Sequence, residues 1–559
     1  MLGPNLFRVV AALAALVCVG LGLRGALDRF WTCDDAFISF RYAENLLAGH
    51  GLVFNAGERV EGYTNFAWTM LTAAAMALGC EPETFTRWAG FACFALTLIL
   101  LLAASRRVSG NAPWLPVAAL GLALNQHAQI FASCGLETAM FTLLATAMLL
   151  LSAWARRGAA FVLLGAIGTL AAMTRPDGLL LCAIAGGHAL LRAARGRLSW
   201  RTVLLLALPG LLVYVPYFAW KWSYYGHPLP NTFYAKTAHD PWIGQGLFYL
   251  GLFFGCYWAL AFAGLAVVLA PLALRSGRGG NDALPGLTLA FVAGYLAFVA
   301  WVGGDFMFGR FVMPVTPALY LGFELLRRRW PGRAFALALA ALALTGTVAR
   351  RFPPELHDRG ELRGIVEEPT YYPAEEVAHR RWCAERLREL YGGHESRIAI
   401  GGAQAMLAYY GKFDLAIECA TGLTDEYIAR LEVGERVRIG HEKGAVLDPD
   451  YLVRRRVQFQ LDTRTPTPPA PDHRNIEFGG FWGRIVTWDR ELMRRLAGQP
   501  GVRFLDCEAF LDEIIPKLGS LPDDEVRRLW EELVPFYFTT NDDPAREQPF
   551  RARLGLPPR

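Results

Sequence analysis

The hydrophobic pattern divides the chain into two parts. Residues 1–350 form a succession of apolar stretches, each about 15–28 residues long, whereas residues 351–559 have the composition of a water-soluble domain. A helix needs about 20 apolar residues to cross a bilayer, and fewer where it is kinked or packed in a bundle. The pattern therefore predicts a polytopic α-helical membrane domain over 1–350, followed by a soluble α/β domain over 351–559.

Eleven stretches qualify as candidate spans, and the first, behind Arg8, lacks a small-residue cleavage site and is predicted to be an uncleaved helix. A twelfth apolar run, 64–80, either crosses the membrane or lies along its surface. The eleven candidate spans are 7–27, 88–104, 113–131, 138–154, 160–173, 178–193, 202–220, 246–273, 285–302, 308–326 and 332–350.

The basic residues decide between these two topologies. Cytoplasmic loops of membrane proteins carry an excess of Lys and Arg. If 64–80 stays on the outer surface, every basic cluster falls on the cytoplasmic side; if it crosses, every one faces outward. The pattern predicts eleven spans, a cytoplasmic N-terminus, an outer first loop over 28–87 and an extracytoplasmic C-terminal domain. The clusters are Arg106–Arg107, Arg156–Arg157, the arginines of 192–201, Arg275 with Arg278, and the arginines of 327–333.

Composition adds little beyond this. Hydrophobic residues make up 54% of the chain and the mean hydropathy is +0.27, both typical of a membrane protein. The net charge of +5 lies in the inner loops, so no nucleic-acid partner is predicted. The ten cysteines lack metal-site spacing. Of these, Cys383, Cys419 and Cys507 lie in the soluble part, where two of them could pair if that part is exported.

The first outer loop holds the most suggestive polar residues. Asp34 and Asp35 precede a helical pattern whose apolar stripe faces the bilayer and whose opposite face carries Arg41, which predicts a helix lying flat on the surface. The two carboxylates fit an acidic helix cap. They also fit a base for an acceptor hydroxyl or the ligands of a divalent cation. No other cofactor is predicted.

Four more outer segments carry candidate binding groups. Glu61, Tyr63 and Asn65 suit contacts with sugar hydroxyls. Three of the segments contain cations or amides that suit a phosphate, although Arg175 with Asp177 also fits a simple turn. No glycine-rich nucleotide loop or serine-nucleophile motif occurs in the sequence. The candidates in those three segments are Arg175, Asp177, Asn231, Lys236, Asp305 and Arg310.

These segments resemble a known family. The run from Asp34 to Asn65 is similar to the first-loop signature of GT-C class membrane glycosyltransferases, nearest to the group of terminal β-(1→2)-arabinofuranosyltransferases of the mycobacterial cell wall. Residues 174–178, 230–236 and 303–310 resemble further motifs of that group, as do 422–425 and 440–443 in the soluble part. The resemblance spans roughly residues 30–450, and the last hundred residues contribute little.

The resemblance implies an enzyme of the bacterial inner membrane that transfers a polyprenyl-phosphate-linked sugar to a glycan acceptor. The sugar that the resemblance implies is arabinofuranose. The resemblance also implies a first-loop aspartate, Asp34 or Asp35, at the reaction centre and a C-terminal domain that helps to bind the acceptor. Inversion at the sugar needs one base. Retention needs a second carboxylate, for which Glu61, Asp177 and Asp305 are the candidates, or same-face attack within an ion pair.

Alternatives remain open from the sequence. Mannose, glucose and aminoarabinose transferases to lipid or protein share the expected architecture. A transporter or a non-enzymatic assembly factor is a rival of another class, but the chain shows no matching halves of the kind found in many transporters. Metal dependence and oligomeric state are not predicted.

Overall fold

A computed structural model describes residues 4–110, 114–236, 240–275, 283–401, 405–434, 436, 438–441, 443–461 and 473–558. The part before residue 350 is helical throughout. Its α-helices are α1 (Pro4–Leu27), α2 (Ala36–Leu47), α3 (Phe66–Ala77), α4 (Pro82–Ser109), α5 (Val117–Leu124), α6 (Gln126–Ile130), α7 (Thr138–Trp154), α8 (Gly158–Thr174), α9 (Gly178–Ala194), α10 (Trp200–Pro209), α11 (Val215–Tyr225), α12 (Asn231–Ala235), α13 (Ile243–Cys256), α14 (Trp258–Arg275), α15 (Leu284–Val302), α16 (Thr316–Arg329) and α17 (Arg333–Val348).

The helices fit a membrane protein. Within the described ranges, four helical stretches are long and apolar enough to cross a bilayer: Leu6–Leu27, Pro82–Ser109, Trp200–Tyr225 and Leu284–Val302. The stretch Trp200–Tyr225 joins α10 and α11 through a π-helical turn next to Pro209. Several shorter apolar helices, including α7, α8 and α9, pack in the same bundle. The count of eleven spans and the orientation of the chain stay predictions.

Two predicted runs differ from the expectation of simple helices. The run 246–273 is not one continuous span, because α13 and α14 meet at 108° around Tyr257. The run 64–80 contains only the 12-residue α3, which at about 1.5 Å per residue is too short to cross a bilayer.

The C-terminal part combines helices with a mixed sheet. The six-stranded sheet has the order β4-β3-β5-β7-β6-β8, with β3 parallel to β4 and to β5 and the remaining pairs antiparallel; β1 and β2 form a separate pair. The strands are β1 (Glu361–Leu362), β2 (Ile365–Val366), β3 (Arg397–Ile400), β4 (Leu415–Glu418), β5 (Phe459–Leu461), β6 (Asn475–Phe478), β7 (Trp482–Ile485) and β8 (Val502–Phe504). The helices are α18 (Ala374–Tyr391), α19 (Ala405–Gly411), α20 (Glu426–Ala429), α21 (Pro449–Arg454), α22 (Arg490–Leu496), α23 (Cys507–Ile514), α24 (Asp523–Leu533) and α25 (Pro544–Arg553).

Helix α2 joins the two parts. It packs against α3 on one side and α19 on the other, so most of its residues are buried. Phe37 and Phe40 contact Tyr409 of α19. The apolar stripe of α2 is therefore not simply open to lipid, because its Phe40 packs against α19. That α2 lies flat on the bilayer stays a prediction.

The cysteines make no cross-link. Cys383, Cys419 and Cys507 are buried and free, in different elements of the C-terminal part. Their role is packing, which the high burial of unpaired cysteine in folded proteins leads one to expect.

Candidate functional site

The two adjacent aspartates of the first loop have different environments. Both oxygens of Asp34 accept backbone N–H groups of α19, from Ala405 at 2.6 Å and from Met406 at 3.0 Å. Asp35 stands at the N-cap position of α2 but makes no capping hydrogen bond with its side chain. Its carboxylate is 23% exposed and lies 3.9 Å from Nη1 of Arg310. Asp34 is therefore an anchor for the C-terminal domain, and Asp35 is the open carboxylate; neither caps its own helix.

Two cations face Asp35. Arg310 is held by Asp305 through two parallel hydrogen bonds, Nε to Oδ2 at 2.5 Å and Nη2 to Oδ1 at 3.0 Å. This bidentate geometry leaves Nη1 directed at Asp35. Lys236 follows α12, and its ammonium group has no hydrogen-bond partner among the described residues. The stem of Lys236 lies against Gly440, where a Cβ atom would approach its Cγ to 3.3 Å.

The backbone around Asp305 depends on glycine. Gly303 ends α15 with φ of 88° and Gly304 follows with φ of 78°. A side chain at Gly304 would place its Cβ 2.5 Å from the ring of Tyr249. The turn therefore requires glycine for both conformation and space, and it directs Asp305 toward Arg310.

Burial shifts the pKa values of Asp34, Asp35 and Lys236. Burial raises the pKa of Asp35 above its ordinary range, while Arg310 and Lys236 oppose that rise. Burial also lowers the pKa of Lys236, and Asp305 and Asp35 work against it. Burial raises the pKa of Asp34 to about 7 although Arg380 and two amides favour its ionised form. Carboxylates and cations within one enclosed site thus stabilise one another's charge.

Asp34, Asp35 and Lys236 line a narrow pocket between the membrane helices and the C-terminal domain. Its cavity volume is only about 20 Å³. Within the part of the chain that the structure describes, Asp34 and Asp35 do not belong to a group of three or more His, Cys, Asp or Glu residues that could hold a metal ion. The lining includes Asp34, Asp35, Lys236, Phe306, Glu418 and His441.

A second network adjoins the pocket. Arg175 donates to both oxygens of Asp177, at 3.0 and 3.2 Å, and to Glu137 at 3.1 Å. The other oxygen of Glu137 accepts from Asn65 at 3.0 Å. Asp177 also accepts from Tyr295 at 2.5 Å. Asn65, Arg175 and Asp177 are thus brought together behind the site, with their polar groups used within the protein.

Two candidates of the first loop lie elsewhere. Glu61 forms a buried ion pair with Lys221 at 2.6 Å, and burial raises its pKa to about 7 against the effect of that lysine. The hydroxyl of Tyr63 lies 3.2 Å from that of Tyr225, in a buried aromatic cluster. Both residues pack the first loop against α11 and do not line the pocket with Asp35.

Asn231 and Arg41 also have structural partners. Asn231 donates to the carbonyls of Gly422 and Leu423, each at 2.9 Å, which ties α12 to the C-terminal domain. Arg41 donates from Nη1 to the carbonyl of Ala408 at 2.6 Å and has two further backbone partners. The donors of Arg41 are thus satisfied by buried carbonyls, which favours a structural role, and its contact with substrate stays a prediction.

The pattern analysis missed three residues at the site: Glu137, Glu368 and His441. Glu137 is the only carboxylate between the apolar runs 113–131 and 138–154, a signal that was available. Glu368 is buried, and burial together with Asp35 raises its pKa to about 8. Glu368 lies in polar sequence without periodicity, where only the tertiary fold reveals its position. For His441 the available signal was the resemblance of segment 440–443 to the family.

Comparison with known proteins identifies two relatives, both terminal β-(1→2)-arabinofuranosyltransferases. The protein of Corynebacterium glutamicum is 31% identical over 350 residues, 56% of this chain and 50% of the relative. That of Mycobacterium tuberculosis is 30% identical over 326 residues, 52% of this chain and 51% of the relative. The chain is a sequence relative of these arabinofuranosyltransferases. It spans about half the length of each, and the predicted resemblance is confirmed. No family model matches the chain.

Two solved structures are weakly similar. ArnT from Cupriavidus metallidurans bound to undecaprenyl phosphate is 15% identical with a TM-score of 0.47, over 75% of this chain and 86% of that one. The Archaeoglobus fulgidus oligosaccharyltransferase complex with Zn and sulfate is 14% identical with a TM-score of 0.40, over 72% and 62% of the two chains. Both scores are too low to establish a shared fold.

Proposed function

We propose that the protein is a membrane glycosyltransferase that moves arabinofuranose from a polyprenyl-phosphate carrier to a glycan acceptor on the outer face of the membrane. The observation that carries this proposal is the carboxylate of Asp35, which lines a pocket together with Lys236 and lies 3.9 Å from Nη1 of Arg310. A carboxylate suits proton transfer, and the two cations suit a phosphate leaving group. The choice of arabinofuranose as the sugar follows from the activity for which the two relatives are named.

In the proposed reaction, an acceptor hydroxyl oxygen bonds to the anomeric carbon as the bond from that carbon to the phosphate oxygen breaks. The electron pair of the broken bond leaves with the lipid phosphate, next to Arg310 and Lys236. The hydroxyl proton goes to Asp35. Charge that develops on the phosphate is stabilised by donors already in position, which avoids the cost of reorganising solvent.

The second carboxylates considered for a retaining reaction are already paired. Asp305 binds Arg310, Asp177 binds Arg175 and Tyr295, and Glu61 binds Lys221. A carboxylate with buried, charged hydrogen-bond partners is a poor nucleophile for a sugar carbon. The proposal therefore gives Asp35 the proton-accepting role and no covalent sugar intermediate on the other three.

The test compares two adjacent aspartates. Asp35→Asn removes the proposed base and is expected to lower kcat by roughly 10²–10⁴-fold with little change in thermal stability. Asp34→Asn is the matched control. It replaces one of the two oxygens that accept backbone N–H groups with an NH₂ group, so it is expected to lower the Tm while kcat of the folded fraction stays unchanged. Transfer is measured from polyprenyl-phosphate arabinofuranose, with the mannose and glucose donors in parallel. Full activity of Asp35→Asn would refute the role of Asp35 as the base. Exclusive use of the mannose or glucose donor would refute arabinofuranose as the transferred sugar.

A further inference from the structure

A large cleft in the C-terminal domain adjoins the pocket of Asp35. It has a volume of about 570 Å³, in contrast to the narrow pocket beside it. Sites for small ligands commonly occupy roughly 300–1,000 Å³. His441 lines both the cleft and the pocket, so the two cavities meet at this residue. Other polar residues of the cleft are Glu361, Arg438, Asp450, Gln460 and Arg484.

The cleft lies where a sheet of this type offers a binding crevice. Gly401 and Cys419, which directly follow the parallel strands β3 and β4, form part of its wall. Strand β3 has β4 on one side and β5 on the other, so the connections that leave these strands diverge. Ligands of open α/β sheets bind outside the carboxyl ends of the strands at such a divergence.

The orientation of His441 follows from its contacts. Its Nδ1 lies 3.1 Å from the carbonyl oxygen of Ile439. A carbonyl only accepts, so Nδ1 carries the hydrogen and Nε2 carries the lone pair. The ring packs edge-on against Phe306 at 4.7 Å. Nε2 has no partner among the described residues and is available to a ligand.

His441 remains neutral under ordinary conditions. Burial, with the positive charge of Arg438, lowers the pKa of His441 to about 3. A neutral imidazole accepts a hydrogen bond but is a poor acceptor of a whole proton at that pKa, so proton removal falls to Asp35.

We propose that the cleft binds the acceptor glycan and that Nε2 of His441 accepts a hydrogen bond from the hydroxyl next to the attacking one on the same sugar, which turns the attacking hydroxyl toward Asp35 and leaves its proton for that carboxylate. The proposal rests on the proposed glycosyl transfer. The charges of the lining are mixed, as in the pairing of Arg438 with Glu361 at 3.8 Å, and such a surface suits an uncharged polyhydroxyl chain. Planar guanidinium and amide groups bind adjacent sugar hydroxyls.

The first experiment separates acceptor from donor kinetics. His441→Phe keeps an aromatic ring against Phe306 and removes the lone pair, whereas His441→Gln keeps an accepting oxygen. With an octyl arabinofuranosyl trisaccharide as acceptor, His441→Phe is expected to raise the acceptor KM by roughly 10-fold or more, in line with the loss of a hydrogen bond to a buried group. The donor KM stays within twofold, and His441→Gln restores most of the loss. An unchanged acceptor KM in His441→Phe would overturn the role of His441.

The second experiment blocks the cleft away from His441. Gln460→Trp fills the cavity from β5 and is expected to weaken binding of the same trisaccharide at least 10-fold in a direct binding assay. Arg503→Ala, on the exposed edge strand β8, is the control and leaves binding unchanged. Unchanged binding in Gln460→Trp would overturn the cleft assignment. If the wild-type protein binds the trisaccharide but transfers no sugar, the proposed reaction fails while the cleft assignment stands.

Discussion

Replacing Arg41 by methionine tests whether the first loop carries substrate or holds the protein together. Arg41 is 5% exposed and donates to three backbone carbonyls, those of Phe54, Ala408 and Phe413. Two of these lie in the C-terminal domain and one in the first loop. Methionine keeps the apolar stem but removes every donor, so three carbonyls lose their partner.

The magnitude follows from those contacts. A hydrogen bond to a charged group contributes about 1.5–3 kcal/mol, and such contributions are not fully additive. We therefore expect Arg41→Met to lower the free energy of unfolding of the C-terminal domain by about 3–5 kcal/mol. For a domain of the size of residues 351–559, roughly 2–4 °C per kcal/mol converts this loss to a Tm lower by about 10 °C.

The assay is thermal unfolding of the full chain in detergent, with the rate of proteolysis of the C-terminal domain as a second measure. Lys412→Met is the matched control, because Lys412 also links this domain to the first loop, through Glu44 at 2.5 Å. That pair is about a third exposed, at 33% and 35%, and such surface pairs contribute about 0–1 kcal/mol. If Arg41→Met unfolds like Lys412→Met but raises the donor KM, Arg41 is a substrate residue and the structural assignment is wrong.

Three further predictions concern the other candidates. The acid limb of kcat/KM against pH is expected above the ordinary aspartate range, because a base is active only when ionised and burial raises the pKa of Asp35; Lys236→Met moves that limb to still higher pH, and a downward shift contradicts the assignment. Glu61→Gln is expected to destabilise the protein by about 3–5 kcal/mol by leaving Lys221 buried and unpaired, and Glu61→Gln with Lys221→Met recovers part of the Tm; equal losses in both argue against the pair. Asn231→Ala is expected to speed proteolysis of the C-terminal domain at an unchanged donor KM, since its amide binds carbonyls of that domain; an altered donor KM places Asn231 at the substrate.

Much of the helical part could be predicted because hydrophobic runs reflect local composition. Nearly every apolar run corresponds to a helix, and the short α3 agrees with the decision that 64–80 does not cross. The break at Tyr257 was not predictable, because an apolar run reads the same whether it continues or bends by 108°. The burial of α2 depends on α19, more than 350 residues away, and no local pattern contains that contact.

The site shows the same division. Isolated charges between apolar runs identified Asp305, Arg310 and Lys236, because charged side chains near a membrane need a reason to be there. The sequence could not distinguish the roles of Asp34 and Asp35, because only the folded structure shows that Asp34 accepts the backbone N–H groups of Ala405 and Met406. The family resemblance pointed to the segment 440–443, but no sequence pattern shows that His441 lies where two cavities meet.

The anchoring of Asp34 has a consequence for biogenesis. Its partners in α19 are made some 370 residues after it, so they exist only when most of the chain has been synthesised. Until α19 folds over the first loop, Asp34 lacks both amide donors, and the segment that presents Asp35 is held by contacts such as Cys33 with Cys134 and α2 with α3. A chain that stops before α19 is therefore expected to lack the wall that Ala405 and Ala408 give to the pocket of Asp35. The proposed transfer would then begin only once the C-terminal domain has folded onto the first loop.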